Sequence, residues 1–494
     1  MSDLRQFSLF INGAFCAPVD GIFFDSIDPA TGHPWARIPA AGEQDVNRAV
    51  AAARSAFEQG DWASMTRSQR GRLLYRLADL IEQHAPELAE LETRDTGKII
   101  RETTAQTAYA AEFYRYYAGL ADKEEGAVLP IDKAEMEVFT RREPLGVVAA
   151  IVPWNSQLFL SAVKLGPALA AGNTVVLKAS EEGPAPLLKF AELIREVGFP
   201  PGVVNIITGF GEPCGRALTS HPDIARVAFT GGPEAARHVV ANTANNFAVT
   251  TLELGGKSPV LVFEDADQTN ALNAVMAGIF GASGQSCVAG SRLFVQKPLF
   301  ESFTAKLADR ANRIRIGDPM AMETEMGPLA TERQRAKIEA AVAATVSAGG
   351  RLLVGGSRPS GREKGWYYQP TILACDDPAL PTMAEEMFGP VLSVMPFTDE
   401  ADAVAKANDS KFGLAAGLFT NSVGRTHRLS RKIRSGILWV NTYRAVSPVA
   451  PFGGFGHSGF GREGGMEAMR DYTRPKTVWI NCSDEPMPDP FVMR

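Results

Sequence analysis

Cys287 ends the run Ser283-Gly284-Gln285-Ser286-Cys287, between a predicted helix and a strand beginning near Arg292. A lone thiol is most often a small buried hydrophobe. Here Gly281 and Gly284 allow a sharp turn and close approach to a ligand, and a thiol on such a turn is a nucleophile once its proton can leave. Glu253 ends a strand predicted over 250–254 and precedes Gly255-Gly256-Lys257. Its apolar neighbours Leu252 and Leu254 turn it toward a partly buried cleft, where desolvation raises a carboxyl group into the range of a working base. Asn155 closes Pro153-Trp154-Asn155 at the end of a predicted strand. There its amide can act as a turn former or point into the crevice and stabilise an oxyanion.

Three such residues need a frame. From Gly146 onward, apolar strands over 146–154, 174–179, 203–208 and 226–230 alternate with helices over 158–171 and 186–197. Strands that are apolar on both faces predict a parallel sheet covered on each side by helices. A second alternating region runs from 258 to about 440, with strands over 260–263, 292–295 and 392–397. The first 120 or so residues read as helices over 45–58, 67–84 and 86–91 after a short strand pair. Residues 126–142 alternate like an extended hairpin, and a tail strand is predicted over 476–481. Both have few core partners of their own, so they are read as oligomerisation elements. A GxGxxG fingerprint is missing from the first strand–helix turn. Looser glycine turns stand at 209–211 and 231–232, the second opening a helix whose first amides can receive a pyrophosphate.

Composition narrows the function classes. The chain has 494 residues and a formal charge of −6 from 50 basic and 56 acidic side chains. With no dense basic block, nucleic acid is not an expected partner. No apolar run reaches the roughly 18 residues of a membrane span, and the N-terminus does not read as a secretory signal. The five cysteines are scattered without CxxC spacing and the six histidines without HExxH. Free thiols in a reducing, cytoplasmic compartment and no metal centre are expected.

Taken in order, PWN (153–155), LKASE (177–181), FTGG (229–232), LELGGKSP (252–259), SGQSC (283–287), EEMFGPV (385–391) and PFGGFGHSGFGRE (451–463) resemble the aldehyde dehydrogenase superfamily over nearly the whole chain. The resemblance implies an α/β chain of two Rossmann-like parallel-sheet domains plus a small β oligomerisation arm. The cofactor domain is expected over 1–125 and 143–254, the catalytic domain over 255–470, and the arm and tail over 126–142 and 471–494. It implies oxidation of a small-molecule aldehyde to an acid with NAD(P)+, in a homodimer or homotetramer. Cys287 is then the nucleophile, Glu253 the base that activates water, and Asn155, with the Cys287 backbone N–H, the oxyanion hole. Lys178, also placed among the catalytic residues, and Glu181 meet the adenine ribose; Glu386 holds the nicotinamide ribose with Phe388 nearby. Gly211, Gly215 and Gly231 line the adenine and pyrophosphate path, with Val152, Pro153, Trp154, Ser180, Phe229, Thr230, Gly232 and Leu254 completing the cofactor set. A base at Glu253 favours hydrolysis of the thioester over transfer to coenzyme A.

Departures from the family pattern also bear on function. Gly232 and Ser283 replace the usual Ser and Asn. Glu181 favours NAD because its charge repels a 2′-phosphate, whereas the small Ser180 resembles relatives that also accept NADP. The resemblance places Ser156, Leu160, Val163, Ser286, Val288, Tyr443, Arg444, Val446 and Phe452 along the substrate tunnel. Ser156 and Val163 stand where aromatic residues are frequent, which predicts a wide tunnel for a bulky or branched aldehyde. Arg444 opens a second reading, a semialdehyde dehydrogenase for an anionic substrate, and a non-catalytic scaffold on the same fold is a third.

Overall fold

Continuous apolar runs build the centre of the first sheet. Val147–Ile151, Thr174–Ala179 and Val204–Thr208 are buried throughout and pair in parallel in that order. On the other side of Val147–Ile151 lie Ile224–Thr230 and then Val249–Glu253, also parallel. The chain thus reverses its direction of sheet growth beside Val147–Ile151, opening a crevice at the carboxyl ends of the strands there. Asn155 follows the first of these strands and Gly231 its neighbour, so both loops overlook that crevice. The structure, a computed structural model, describes residues 4–487 and 489–492. Positions 1–3 of the expected cofactor domain and 488, 493 and 494 of the expected tail lie outside the described residues.

The second sheet has seven strands in the order Arg351–Val354, Thr371–Ala374, Val391–Phe397, Arg292–Gln296, Pro259–Val262, Ala415–Phe419, Ile437–Val440. All its pairings are parallel except that of the edge strand Arg351–Val354. The expected α/β class with two Rossmann-like sheets is therefore the observed one. Gly459–Phe460, late in the chain, returns to the first sheet and pairs antiparallel with Val249–Glu253, setting Gly459 opposite Glu253.

Periodicity left out one hairpin and the main partner of another. Before the first helix the chain also forms the hairpin Phe23–Asp28 with His33–Pro39, whose alternation is broken by a register shift between Ser26 and Ile27. The stretch 126–142 closes on itself only through bonds such as Leu129 N–H to Val138 O, 2.8 Å. Its main partner is remote: Met136–Pro144 pairs antiparallel with Thr473–Asn481 along the full length of both. This ribbon leaves Trp479 and Ile480 exposed.

Candidate active site

The cysteine turn is built from backbone that only a tied loop adopts. Ala282 and Ser283 have φ of 51° and 53°, and Gly284 follows at 73°, a left-handed run costly for residues with a Cβ. The glycine is required: a Cβ there would lie 2.1 Å from the Gly389 carbonyl oxygen. Hydrogen bonds hold the rest. The Ala282 N–H donates to both Glu102 carboxylate oxygens at 3.0 Å, the Ser283 hydroxyl to Gly327 O at 2.9 Å, and Ala330 N–H to Gln285 Oε1 at 2.9 Å. Ser283, a departure with no evident meaning in the sequence, is thus a strut of the turn.

Cys287 opens onto a cavity of about 490 Å³ that also holds Asn155, Glu253 and Thr230. Burial, reinforced by the carboxylates of Glu386 and Glu253, pushes the thiol up to about 12, against the Val288 N–H and Arg444. At neutral pH it is protonated. The Asn155 amide donates one hydrogen to Gln285 O at 3.0 Å, which fixes the side chain and leaves its second N–H available to the cavity.

Glu253 is 2% exposed, yet neither carboxylate oxygen has a hydrogen-bond partner. Burial first and the charge of Glu463 second hold it well above the usual carboxylate range, while Lys164 and Arg462 oppose them. Lys164 is itself paired with Glu463 in a buried ion pair. Sequence reading missed both residues. They are 299 positions apart, and the Glu463 end of the GRE motif was their only trace.

The expected tunnel residues Ser156, Leu160, Val163, Ser286, Val288, Arg444, Val446 and Phe452 all line the cavity. Tyr443 does not. Its ring packs on Trp439 at 4.8 Å and its hydroxyl donates to Val288 O at 2.9 Å, so it buttresses the wall from behind. Aromatic groups that sequence reading did not place also line the cavity: Tyr109, Phe113 and Phe159, together with Trp439. Arg444 is half-buried with φ of 62° and donates to Ala277 O at 3.0 Å.

The expected cofactor residues cluster at the strand ends. Lys178, on Thr174–Ala179, donates to Ala179 O at 3.1 Å and lies 3.8 Å from the Glu181 carboxylate. It is not among the residues lining the Cys287 cavity, so it stands apart from Cys287, Glu253 and Asn155. Ser180 accepts the Glu182 N–H at 3.2 Å. Val152 N–H donates to Lys178 O at 3.2 Å, and the Trp154 ring, after Pro153, stands edge-on to Phe388 at 5.4 Å. Gly215 passes beside the Lys178 stem, 3.8 Å from where its Cβ would be, whereas Gly211 and Gly232 face open space. At Gly231 a Cβ would meet the tip of the Phe229 ring at 2.5 Å, so a larger residue would have to displace that ring. Glu386 accepts the Gly256 N–H at 2.9 Å and is raised to about 7, by burial above all. Leu254 lines the cavity itself.

These residues fit a dinucleotide. The Thr230 hydroxyl is buried without a partner, Gly232 opens the helix Pro233–Thr243 with free space around it, and the Lys178 and Glu181 pair offers donor and acceptor for ribose hydroxyls.

Residues 18–478 match the model of the aldehyde dehydrogenase family. The chain is 59% identical over 493 residues, covering 99% of it and 100% of the relative, to (Z)-2-((N-methylformamido)methylene)-5-hydroxybutyrolactone dehydrogenase of Acinetobacter baylyi. It is 41% identical over 472 residues, 95% of the chain and 87% of the relative, to aldehyde dehydrogenase family 2 member B4 of Arabidopsis thaliana. Among solved structures, the NAD+ complex of an aldehyde dehydrogenase from Bacillus cereus superposes with a TM-score of 0.95 at 41% identity, covering 97% of each chain.

Proposed function

Because this chain belongs to the aldehyde dehydrogenase family, we propose that it oxidises an aldehyde to a carboxylic acid with NAD(P)+ through Cys287, Glu253 and Asn155. The observation that carries this reading is their convergence from three separate elements on one cavity. With Cys287→Ala, NADH formation at its absorbance band should vanish for every aldehyde tested, while cofactor binding persists; residual turnover would refute the assignment.

The chemistry follows from the local environment. A thiol held near 12 must lose its proton before its sulfur can add to the aldehyde carbon, and the neighbouring Glu253 carboxylate is placed to take it. The new C–S bond leaves an alkoxide, which the free Asn155 N–H and the Cys287 backbone N–H stabilise, a donor of this kind being worth about 3–4 kcal/mol. Bound NAD(P)+ supplies the hydride acceptor. Cys287 then carries a thioester. Glu253 releases the thiol proton to solvent and then takes one from water, the hydroxide adds to the thioester carbon, the C–S bond breaks, and the acid leaves as Glu253 returns its proton to the Cys287 sulfur.

Lys178, Ser180 and Glu181 would hold the adenine ribose, the start of Pro233–Thr243 the pyrophosphate, and Glu386 with Phe388 the nicotinamide side. The Glu181 carboxylate, 3.8 Å from Lys178, favours NAD over NADP by repelling a 2′-phosphate. Parallel kcat/KM values for the two cofactors test this.

A semialdehyde substrate is a second reading, favoured by Arg444 on the cavity wall. The Acinetobacter relative adds support, because a 5-hydroxybutyrolactone is the ring form of a chain bearing an aldehyde and a carboxylate. For assembly, the ribbon with exposed Trp479 and Ile480 supports a homodimer or homotetramer, which light scattering would distinguish from a monomer. Among the described residues no helix is long and apolar enough to cross a membrane. The free thiols suit a reducing compartment such as the cytoplasm.

A further inference from the structure

Behind the cavity wall lies a buried lysine that the chemistry above does not use. Lys98 precedes the helix Ile100–Leu120 and is 1% exposed. Its ammonium donates to Glu92 Oε1 at 2.8 Å, to Ser156 Oγ at 3.2 Å, and to Gln106 Oε1. An ammonium has three N–H donors and no acceptor, so all three are spent, and the pairing with Glu92 leaves the cluster without net charge.

That arrangement fixes the amide of Gln106. Its oxygen faces Lys98 and lies 3.3 Å from the Ser156 hydroxyl, which also bonds Asn155 O at 2.7 Å. Its NH2 must therefore point away from the cluster, and Gln106 lines the cavity. No oxygen among the described residues accepts from this NH2. Tyr109 and Phe113 share its helix face at i+3 and i+7 and also line the cavity, but the Tyr109 hydroxyl is committed to Val446 O at 2.9 Å. Gln106 is thus an oriented, unspent donor in a largely aromatic wall.

We propose that Gln106, oriented by Lys98 and Ser156, is a specificity residue that donates to a carbonyl or carboxylate oxygen on the substrate, remote from its aldehyde carbon. This rests on the reading of the cavity as the aldehyde site. A flipped amide would set its NH2 against the Lys98 ammonium, donor against donor, so the orientation is maintained in the absence of ligand. Recognition by an oriented donor discriminates against substrates lacking the acceptor, because the N–H of this half-buried amide then faces the apolar part of the substrate unpaired. Ser156 accordingly does more than widen the tunnel: it is part of the cluster that aims the donor.

The test compares three aldehydes of similar length: pentanal, methyl 4-oxobutanoate and 4-oxobutanoate. For Gln106→Met the ratio of kcat/KM for an oxygen-bearing aldehyde to that for pentanal should fall at least tenfold, chiefly through KM. A fall for both oxygenated aldehydes assigns any carbonyl oxygen as the acceptor, and a fall for 4-oxobutanoate alone assigns the carboxylate. A ratio within twofold of wild type for both overturns the proposal, because a merely structural role lowers all three rates together. Lys98→Met should reduce the same ratio by freeing the amide to flip. Calorimetric binding of butyrate and succinate to Cys287→Ala, with and without Gln106→Met, reads the same preference without turnover. An inactive wild type that still binds succinate through Gln106 would sink the aldehyde reading and spare this one.

Discussion

Glu463 lies close enough to Glu253 for its charge to disfavour ionisation there, yet only Glu463 has a cationic partner, Lys164, while both oxygens of Glu253 are unbonded. The asymmetry separates their roles: Glu463 is held by Lys164, and Glu253 is left to take and release a proton. Glu253→Gln should lower kcat by about 10²–10⁴-fold, the usual contribution of a general base. Because its protonated form persists well above the ordinary carboxylate range, the acid limb of kcat against pH should lie above pH 4.5 and shift upward in Lys164→Met, which removes an opposing positive charge. A limb that does not move would remove Lys164 from the titration of Glu253.

The thiol offers a separate test. With Cys287 pushed up to about 12, the thiolate fraction rises tenfold for each pH unit across the neutral range. Alkylation of Cys287 by iodoacetamide, corrected with Cys287→Ser for the exposed Cys482, should increase in that proportion from pH 7 to 9 without a plateau. A plateau below pH 8 would mean that the resting residue is already a thiolate.

Legibility in the sequence followed the distance over which a feature is encoded. Cys287, Glu253 and Asn155 each sit in a short contiguous motif whose glycines or strand end dictate the local backbone, and the fold brings all three to one cavity. The alternating apolar strands likewise announced both parallel sheets. What escaped depends on side chains joined from afar. Lys164 with Glu463, and Lys98 with Ser156, have no local signal because the partners come from separate elements, and Gln106, though eight positions from Lys98, is tied to that cluster through the same ammonium. Tyr443 was misplaced for a related reason: its neighbours Arg444 and Val446 line the cavity, but its own ring turns inward to Trp439. Its place in the chain gave no clue to that rotamer.

Ser283→Ala removes the hydroxyl that holds Gly327 O and leaves a Cβ residue at φ 53°. The buried carbonyl then loses a donor, a loss of roughly 1–3 kcal/mol. Urea unfolding should show a lower midpoint with an unchanged slope. Activity should fall as well, since the turn carries Cys287; unaltered stability would show that other bonds suffice to hold the left-handed run.

Lys257 is 2% exposed, has no hydrogen-bond partner, and is lowered to about 7 by burial and by Arg292, against the attraction of Glu386. In the unfolded chain it titrates near 10.5, so between about pH 7 and 10 the unfolded state binds more of this proton than the folded state. The sign is then fixed: stability linked to Lys257 is fully present above the unfolded value and is lost as pH falls toward 7, by up to about 1.4 kcal/mol per pH unit. Lys257→Met should unfold at a higher temperature than wild type at pH 7, with the gap narrower at pH 9 and closed only as pH approaches 10.5. A gap independent of pH would mean that the lysine is charged in both states.

Arg444 distinguishes the two substrate readings. Its guanidinium lines the cavity but is already hydrogen-bonded to Ala277 O. Part of its charge is therefore spent on holding its own loop. If it also anchors a carboxylate, Arg444→Ala should raise KM for 4-oxobutanoate relative to pentanal by about 10-fold or more, as for loss of a charge-assisted hydrogen bond. Added salt should produce a smaller change of the same sign in wild type, because a half-buried ion pair is only partly screened. Equal KM shifts for the charged and the neutral aldehyde would assign Arg444 to the loop alone and leave oxygen recognition to the opposite wall.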